Sequence, residues 1–290
     1  MPVIVTKRAL NPTVTLMEVE CPAIARKAQP GQFVILRPDV YGERIPLTIA
    51  DYDPVRGTIT IMYQRVGLTT EKLDRMEIGG TILDVVGPLG NPTELSGAHH
   101  AAVVGGGVGC AIAFPQAKAL HTAGAHVDVI VGFRSRELVL LEEEFRRNCD
   151  RLYITTDDGS YGEKGFVSDR LTKLLEGGAN YDLVIAIGPV PMMRAIAEVT
   201  RPHGIKTLVS LNPIMVDGTG MCGGCRVRVG GEVKFACVDG PDFDGHQVDY
   251  DELMVRNGLY RKQEAEAKSQ HPCKLQAAAA QLLKGDDTHG

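Results

Sequence analysis

Between residues 2 and 97 the chain alternates apolar and polar positions or gathers them into short runs. Residues 13–20 and 57–63 show alternation or β-branched enrichment, and residues 32–36 and 81–86 are short apolar runs bounded by Gly and Pro. One helix is predicted at 70–77. Six or so strands separated by turn signals predict a small antiparallel barrel or sandwich.

From about residue 98 the period changes. Short, buried-looking strands are predicted at 101–104, 127–131, 152–155, 183–187 and 207–210. Helical stretches at 110–123, 137–148, 168–175 and 191–199 separate them. Strand and helix alternating at this pitch predict a parallel sheet covered on both faces. Residues 212–248 form a compact, glycine-rich, cysteine-bearing module. The tail, 249–290, is polar and then alanine-rich over 276–283, and a helical extension is expected. The chain therefore divides as α+β multidomain: an antiparallel β-barrel domain (1–97), an α/β domain (98–211), a small module (212–248) and the extension.

Charge narrows the partners. With 31 Lys and Arg against 36 Asp and Glu the formal net charge is −5, which argues against nucleic acid and against an anionic membrane surface. The first residues lack the basic-then-apolar order of a signal peptide. No run reaches the ~18 apolar residues of a membrane span, and the nearest, 101–114, is interrupted by four glycines. A soluble, cytoplasmic protein is expected. Its 33 glycines in 290 residues exceed the usual ~7%, as ligand-cradling loops require.

Seven cysteines are present, and Cys222, Cys225 and Cys237 fall within sixteen residues. In a reducing compartment such a cluster points to metal or redox chemistry before disulfides. With Asp217 the spacing is D-x4-C-x2-C-x11-C, against C-x4-C-x2-C and a distant fourth cysteine in plant-type [2Fe–2S] sites. Glycines 218, 220, 223 and 224 supply the positive φ angles and inward amides that a loop around a cluster needs. Two alternatives stay open: a structural zinc held by three cysteines and a carboxylate, and Asp217 as a turn residue. Cys21, Cys110, Cys149 and Cys273 read as ordinary core or surface residues.

Two loops suit a nucleotide. Gly105, Gly106, Gly107 and Gly109 follow a strand and open a helix, bringing amides and a helix N-terminus to a phosphate. The pattern is not a strict GxGxxG, and the next strand ends in Arg134 where a ribose-binding acid would stand. Gly188, Pro189 and Met192 lie in a second loop after another strand. Residues 157–160 fit a polar turn as well as a ligand role. In the first domain Arg44, Pro46, Leu47 and Thr48, with Thr69 and Thr70 before a helix, could hold a pyrophosphate. The eight histidines show no ligand spacing and read as surface or loop residues.

This order of a small β domain, a parallel α/β domain and a D-x4-C-x2-C-x11-C module resembles the ferredoxin–NADP reductase superfamily over roughly residues 1–250. It is closest to the branch with a C-terminal [2Fe–2S] module, which includes electron-transfer subunits of dihydroorotate dehydrogenase and small subunits of electron-bifurcating ferredoxin:NADP+ transhydrogenases. Three features favour the latter. Asp217 stands where the dihydroorotate branch has cysteine, and Ile187 stands where many members have a cysteine near the nicotinamide. Residues 212–217 and 237–246 also resemble the transhydrogenase subunit.

The resemblance implies FAD held by Arg44, Pro46, Leu47, Thr48, Tyr63, Gln64, Arg65, Thr69 and Thr70. Superfamily members place arginine three residues before the hydroxyl, whereas Arg44 lies four before Thr48. It implies NAD at Gly105–Gly107, Gly109, Gly188, Pro189 and Met192, with Arg134 leaving NADP open, and a [2Fe–2S] cluster on Asp217, Cys222, Cys225 and Cys237. The implied activity is electron transfer from NADH through FAD and the cluster to a larger flavin and iron–sulfur subunit, and through that subunit to ferredoxin. No residue is assigned as catalytic, since hydride transfer needs no acid–base dyad. The tail beyond 249 is a docking element or a solvated helix. The rival readings are the dihydroorotate dehydrogenase subunit and a non-redox, zinc-bearing scaffold.

Overall fold

The computed structural model describes residues 1–260 together with 262, 263 and 266. The expected helix at 276–283 lies outside the described residues.

The first half holds β1 (Val3–Ala9), β2 (Val14–Glu20), α1 (Pro22–Ala25), β3 (Phe33–Arg37), β4 (Ile45–Asp53), β5 (Thr58–Gln64), α2 (Leu68–Arg75) and β6 (Asp84–Leu89). Its six strands form one antiparallel sheet in the order β1-β2-β5-β4-β3-β6. The sheet rolls until its ends meet at a Val3–Thr81 bridge, backed by Ile4 N–H to the Gly80 carbonyl and Ile82 N–H to the Pro2 carbonyl, each 2.9 Å. β1 does not pair with β6 itself, so the sheet approaches a barrel and is joined only at this bridge beside β6.

Strand alternation sends Met17, Val19, Ile59, Ile61, Val34 and Leu36 into the roll, where Leu73 of α2 joins them. The opposite face of β2, β4 and β5 is also apolar. Val14, Leu16, Ala50 and Met62 share a core cluster with residues of the second half. These strands are therefore covered on both sides.

The second half holds β7 (His100–Gly106), α3 (Gly109–Thr122), β8 (His126–Phe133), α4 (Glu142–Arg146), β9 (Arg151–Thr156), β10 (Glu163–Lys164), α5 (Val167–Glu176), β11 (Leu183–Ile187), α6 (Val190–Thr200) and β12 (Lys206–Ser210). Then come β13 (Arg226–Val229), β14 (Glu232–Phe235), β15 (Asp242–Asp244) and α7 (Tyr250–Asn257). The sheet order is β10-β9-β8-β7-β11-β12-β15, with β15 antiparallel to β12 and the other pairs parallel. The chain winds from β7 out to β10, then returns to lay β11 on the other side of β7. That reversal is the switch point at which sheets of this kind open a crevice at their carboxyl ends.

One detail differs from expectation. The helix expected over 137–148 is a 3-10 turn at Arg136–Leu138 and the short α4, because the buried Leu141 takes a left-handed φ of 58° and breaks the run. Residues 212–248 contribute β15 to the edge of the large sheet.

The halves dock through α3, whose Phe114 and Ala117 share a cluster with the outer face of β2, β4 and β5. Lys118 pairs with Asp51 at 2.8 Å, and the Asn11 amide donates to the Leu138 carbonyl at 2.9 Å. Among the described residues no helix is long and apolar enough to cross a membrane.

Candidate cofactor cleft and cluster loop

A cleft of about 980 Å³ lies between the rolled sheet and the switch point. From the first half it gathers Pro46, Leu47 and Thr48 of β4, Tyr63 and Gln64 of β5, and Thr69 and Thr70 of α2. From the second it gathers Gly106, Gly107, Gly109, Arg134, Gly188, Pro189 and Met192. Three predicted residues do not line it. Arg44 is exposed just ahead of β4. Arg65 turns to Asp74, at 3.2 Å, and to the Pro12 carbonyl. Gly105 sits over Cys110, whose Cα would lie 2.9 Å from an added Cβ.

On the first-half wall, α2 begins at Gly67 with its first-turn amides lacking intrahelical partners. Thr70 is occupied in shaping that start: its hydroxyl accepts from Gly67 N–H at 3.1 Å and donates to the Gly67 carbonyl at 2.9 Å. Thr69 reaches Glu43 at 3.4 Å. The Tyr63 phenol is buried without a hydrogen-bond partner, and burial pushes its pKa upward. That hydroxyl packs inside the roll beside Thr15 and Asp74, so the polar groups this wall offers are the first-turn amides of α2, suited to a phosphate, next to the apolar Pro46 and Leu47. The wall fits a flavin.

On the second-half wall the glycines do two jobs. Gly107, at φ 57°, turns the chain out of β7, and its N–H bonds the Gly132 carbonyl at 2.8 Å. The others let two loops interlock. An added Cβ on Gly106 would meet Met192 Sδ at 2.4 Å, and one on Gly109 would meet the Ile187 carbonyl oxygen at 2.4 Å. The residues that sequence reasoning missed here include Thr155 and Ser210, which line the cleft from β9 and β12. The Thr155 hydroxyl is buried and unpartnered. Their signal was available: polar residues at the carboxyl ends of parallel strands face the crevice.

Asn212, Met215 and Pro241 carry the cleft wall into the cluster loop. There Asp217 accepts from Thr219 N–H and Cys222 N–H, each at 2.7 Å. The Thr219 amide, ahead of the Cys222 amide, holds its carboxyl below the usual range. Gly218, Gly220 and Gly223 have φ of 76°, 83° and 65°. Cys225 and Cys237 are buried with their sulfurs 3.2 Å apart, while Cys222 is exposed and its sulfur accepts from Gly224 N–H at 3.4 Å. Burial, then the neighbouring Cys225, pushes the Cys237 thiol up to about 12. A metal centre would take these groups as thiolates and release their protons. Positive-φ glycines, the paired Cys225 and Cys237 sulfurs and an ionised carboxylate fit an iron–sulfur cluster, while the exposed Cys222 stands apart from that sulfur pair.

The loop is pinned to both halves. Gly218 packs where a Cβ would fall 2.7 Å from Leu89 Cδ1 and 2.9 Å from Ile35 Cγ1. Asn91 N–H bonds the Gly240 carbonyl at 2.7 Å, and the Thr93 hydroxyl donates to the buried Asp242 carboxylate.

Comparison with known proteins matches this architecture. Residues 212–249 match the iron–sulfur cluster binding domain of dihydroorotate dehydrogenase B. The chain is 48% identical over 246 residues to a dihydroorotate dehydrogenase B (NAD(+)) electron transfer subunit homolog of Thermotoga maritima, covering 85% of this chain and 86% of that protein. It is 36% identical over 230 residues to the dihydroorotate dehydrogenase B (NAD(+)) electron transfer subunit of Bacillus caldolyticus, covering 76% and 86%. A solved chain from the NADH-dependent reduced ferredoxin–NADP oxidoreductase, a structure described for flavin-based electron bifurcation, superposes with a TM-score of 0.88. That match has 45% identity and covers 93% of this chain and 97% of the other. The chain belongs to the family of dihydroorotate dehydrogenase B-type electron transfer subunits, with a ferredoxin-reductase-like fold and a C-terminal iron–sulfur domain.

Proposed function

We propose that this flavin-dependent oxidoreductase subunit is the NAD(H)-side electron-transfer subunit of an electron-bifurcating ferredoxin:NADP+ transhydrogenase. The observation that carries the reading is the match to the solved oxidoreductase chain, 45% identical across 93% of this chain. Asp217 supports it, holding the position where the dihydroorotate branch has cysteine.

Residues 1–97 would hold FAD, 98–211 NAD, and 212–248 a [2Fe–2S] cluster. When bound, the flavin exchanges a hydride with the nicotinamide and single electrons with the cluster. The chain's own residues supply position. Pro46, Leu47, Thr48, Tyr63, Gln64, Thr69 and Thr70 would cradle the flavin. The interlocked Gly106, Gly109 and Gly188 keep the second wall thin enough for a nucleotide to lie against backbone, with Pro189 and Met192 behind it. Arg134 lines the cleft from the end of β8, where a ribose would lie. Asp217, Cys222, Cys225 and Cys237 would hold the cluster, and the extension beyond residue 249 would dock on the larger flavin and iron–sulfur subunit that meets ferredoxin. None of these steps asks a side chain to move a proton at the reacting carbon.

The test is purification of the tagged chain from its native host with whatever subunit accompanies it. NADP+ reduction that requires NADH and reduced ferredoxin together is the expected activity. A complex that instead oxidises dihydroorotate with NAD+ would place the chain in the other branch.

A further inference from the structure

At the opposite edge of the large sheet from the cleft, three metal-ligating side chains converge. β7 and β8 are parallel, with His100 paired to His126 and Ala102 to Asp128. Residues two apart on a strand share a face, so the register alone sets His100, His126 and Asp128 side by side. One ligand atom from each lies within 4.8 Å of the other two. We propose that His100, His126 and Asp128 form a site for a divalent transition metal, with zinc as the ion that suits it.

Donor chemistry supports this. His126 Nε2 lies 3.4 Å from Asp128 Oδ1, close to the ~3.3 Å that separates two donors on a tetrahedral zinc with bonds near 2.0–2.1 Å. Asp128 is fully buried, and its Oδ1 has no hydrogen-bond partner; the buried His100 Nε2 has none either. Buried carboxylate oxygens and imidazole nitrogens rarely stay unpartnered. Two imidazoles and one carboxylate are a donor set that zinc accepts, leaving one position open.

The surroundings hold these ligands as an outer shell would. The Tyr181 hydroxyl donates to Asp128 Oδ2 at 2.7 Å, which leaves Oδ1 for the metal. Asp150 Oδ1 lies 3.4 Å from His126 Nδ1, on the far side of the ring from Asp128. Asp182 accepts the backbone amides of His99 and His100 at 2.8 and 3.1 Å, fixing the start of β7. The Tyr181 ring flanks His100 at 4.7 Å. Arg151, at the start of β9, bonds Tyr153 and lies within the field of Asp128 without bonding Oδ1. The half-exposed His126 gives the ion a path from solvent.

The competing arrangement is a metal-free pair of protonated His126 with Asp128. Zinc chloride titrated into the full chain carrying its flavin and cluster separates the two, read by calorimetry and by metal analysis after gel filtration. The expected result is about one equivalent of zinc bound with a Kd below roughly 10 µM. His100→Gln and His126→Gln, both of partly exposed residues, should each weaken binding by at least about tenfold, with the cluster's visible spectrum unchanged. Zinc should also raise the melting temperature of the wild type and not of the variants. Weaker wild-type binding, or binding that both variants retain, overturns the proposal.

Discussion

The Asp217 carboxylate and the Cys222 amide are joined by a 2.7 Å hydrogen bond. The residue proposed as the first ligand thus also shapes the turn that presents Cys222, the proposed second. Asp217→Cys supplies a thiolate at that position and removes the amide acceptor. The visible bands and the reduced-cluster EPR g-values should both change, since ligand type tunes such clusters. Identical spectra would remove Asp217 from the ligand set and leave it the turn alone.

Gly109 and Gly107 should fail differently. Alanine at 109 would drive a methyl against backbone, the Ile187 oxygen at 2.4 Å and Gly188 Cα at 2.8 Å. Gly109→Ala should cost about 1–3 kcal/mol by overpacking and weaken NADH binding at least tenfold. Gly107 faces open space at φ 57°, so Gly107→Ala should cost only the left-handed strain, about 1–2 kcal/mol. Denaturant titration and NADH-driven flavin reduction measure both effects.

The docking of the two halves rests on packing more than on charge. Phe114 is 6% exposed in the cluster it shares with Val14, Leu16, Ala50 and Met62 of the first half. Phe114→Ala should cost about 3–5 kcal/mol. The Lys118–Asp51 pair is 42% and 37% exposed, so Lys118→Met should cost under about 1 kcal/mol. A larger loss for Lys118→Met than for Phe114→Ala would reverse this assignment.

Asp242 gives a pH signature. Burial pushes its carboxyl above the ordinary 3.8, against the opposing bonds from the Thr93 and Ser210 hydroxyls. Below pH 3.8 both folded and unfolded forms hold the proton. As pH rises from there toward the raised value, the unfolded chain loses its proton first, so this residue's contribution falls with pH. Asp242→Asn removes that slope. The stability of the variant relative to wild type should climb from pH 4 upward, in chemical denaturation at several pH values. A constant difference would show that Asp242 titrates normally.

Arg134 is exposed and lines the cleft from the end of β8. If the subunit uses NAD, Arg134→Gln should change NADH affinity by no more than roughly threefold, as for a solvent-screened contact. Any residual NADPH binding should be lost. Inhibition constants for NAD+ and NADP+ decide it, and a large loss with NAD+ alone would move Arg134 into the nicotinamide site.

Much of this fold was legible because burial and period coincide. The apolar runs at 101–104 and 183–187 read as buried strands, and the glycines at 105–109 marked where a strand gives way to a helix. The D-x4-C-x2-C-x11-C spacing located the cluster loop before any coordinates. What escaped notice depends on distant pairing. β15 is the tripeptide Asp242–Asp244, whose strand state comes from its partner Leu208–Ser210 and not from its own residues. His100 and His126 lack any local spacing, since a parallel register and not a helical turn makes them neighbours. Arg65 looked like a cofactor ligand, but its sequence could not show that Asp74 and the Pro12 carbonyl claim it first.

The seam formed by Gly218 on Ile35 and Leu89, Asp242 on Thr93, and β15 on β12 has a mechanical meaning. It ties the cluster loop to both halves at once, leaving no free hinge across which the loop could swing. The span that an electron crosses inside this chain is therefore set when the chain folds. On the proposed function, regulation of that flow then lies outside this seam.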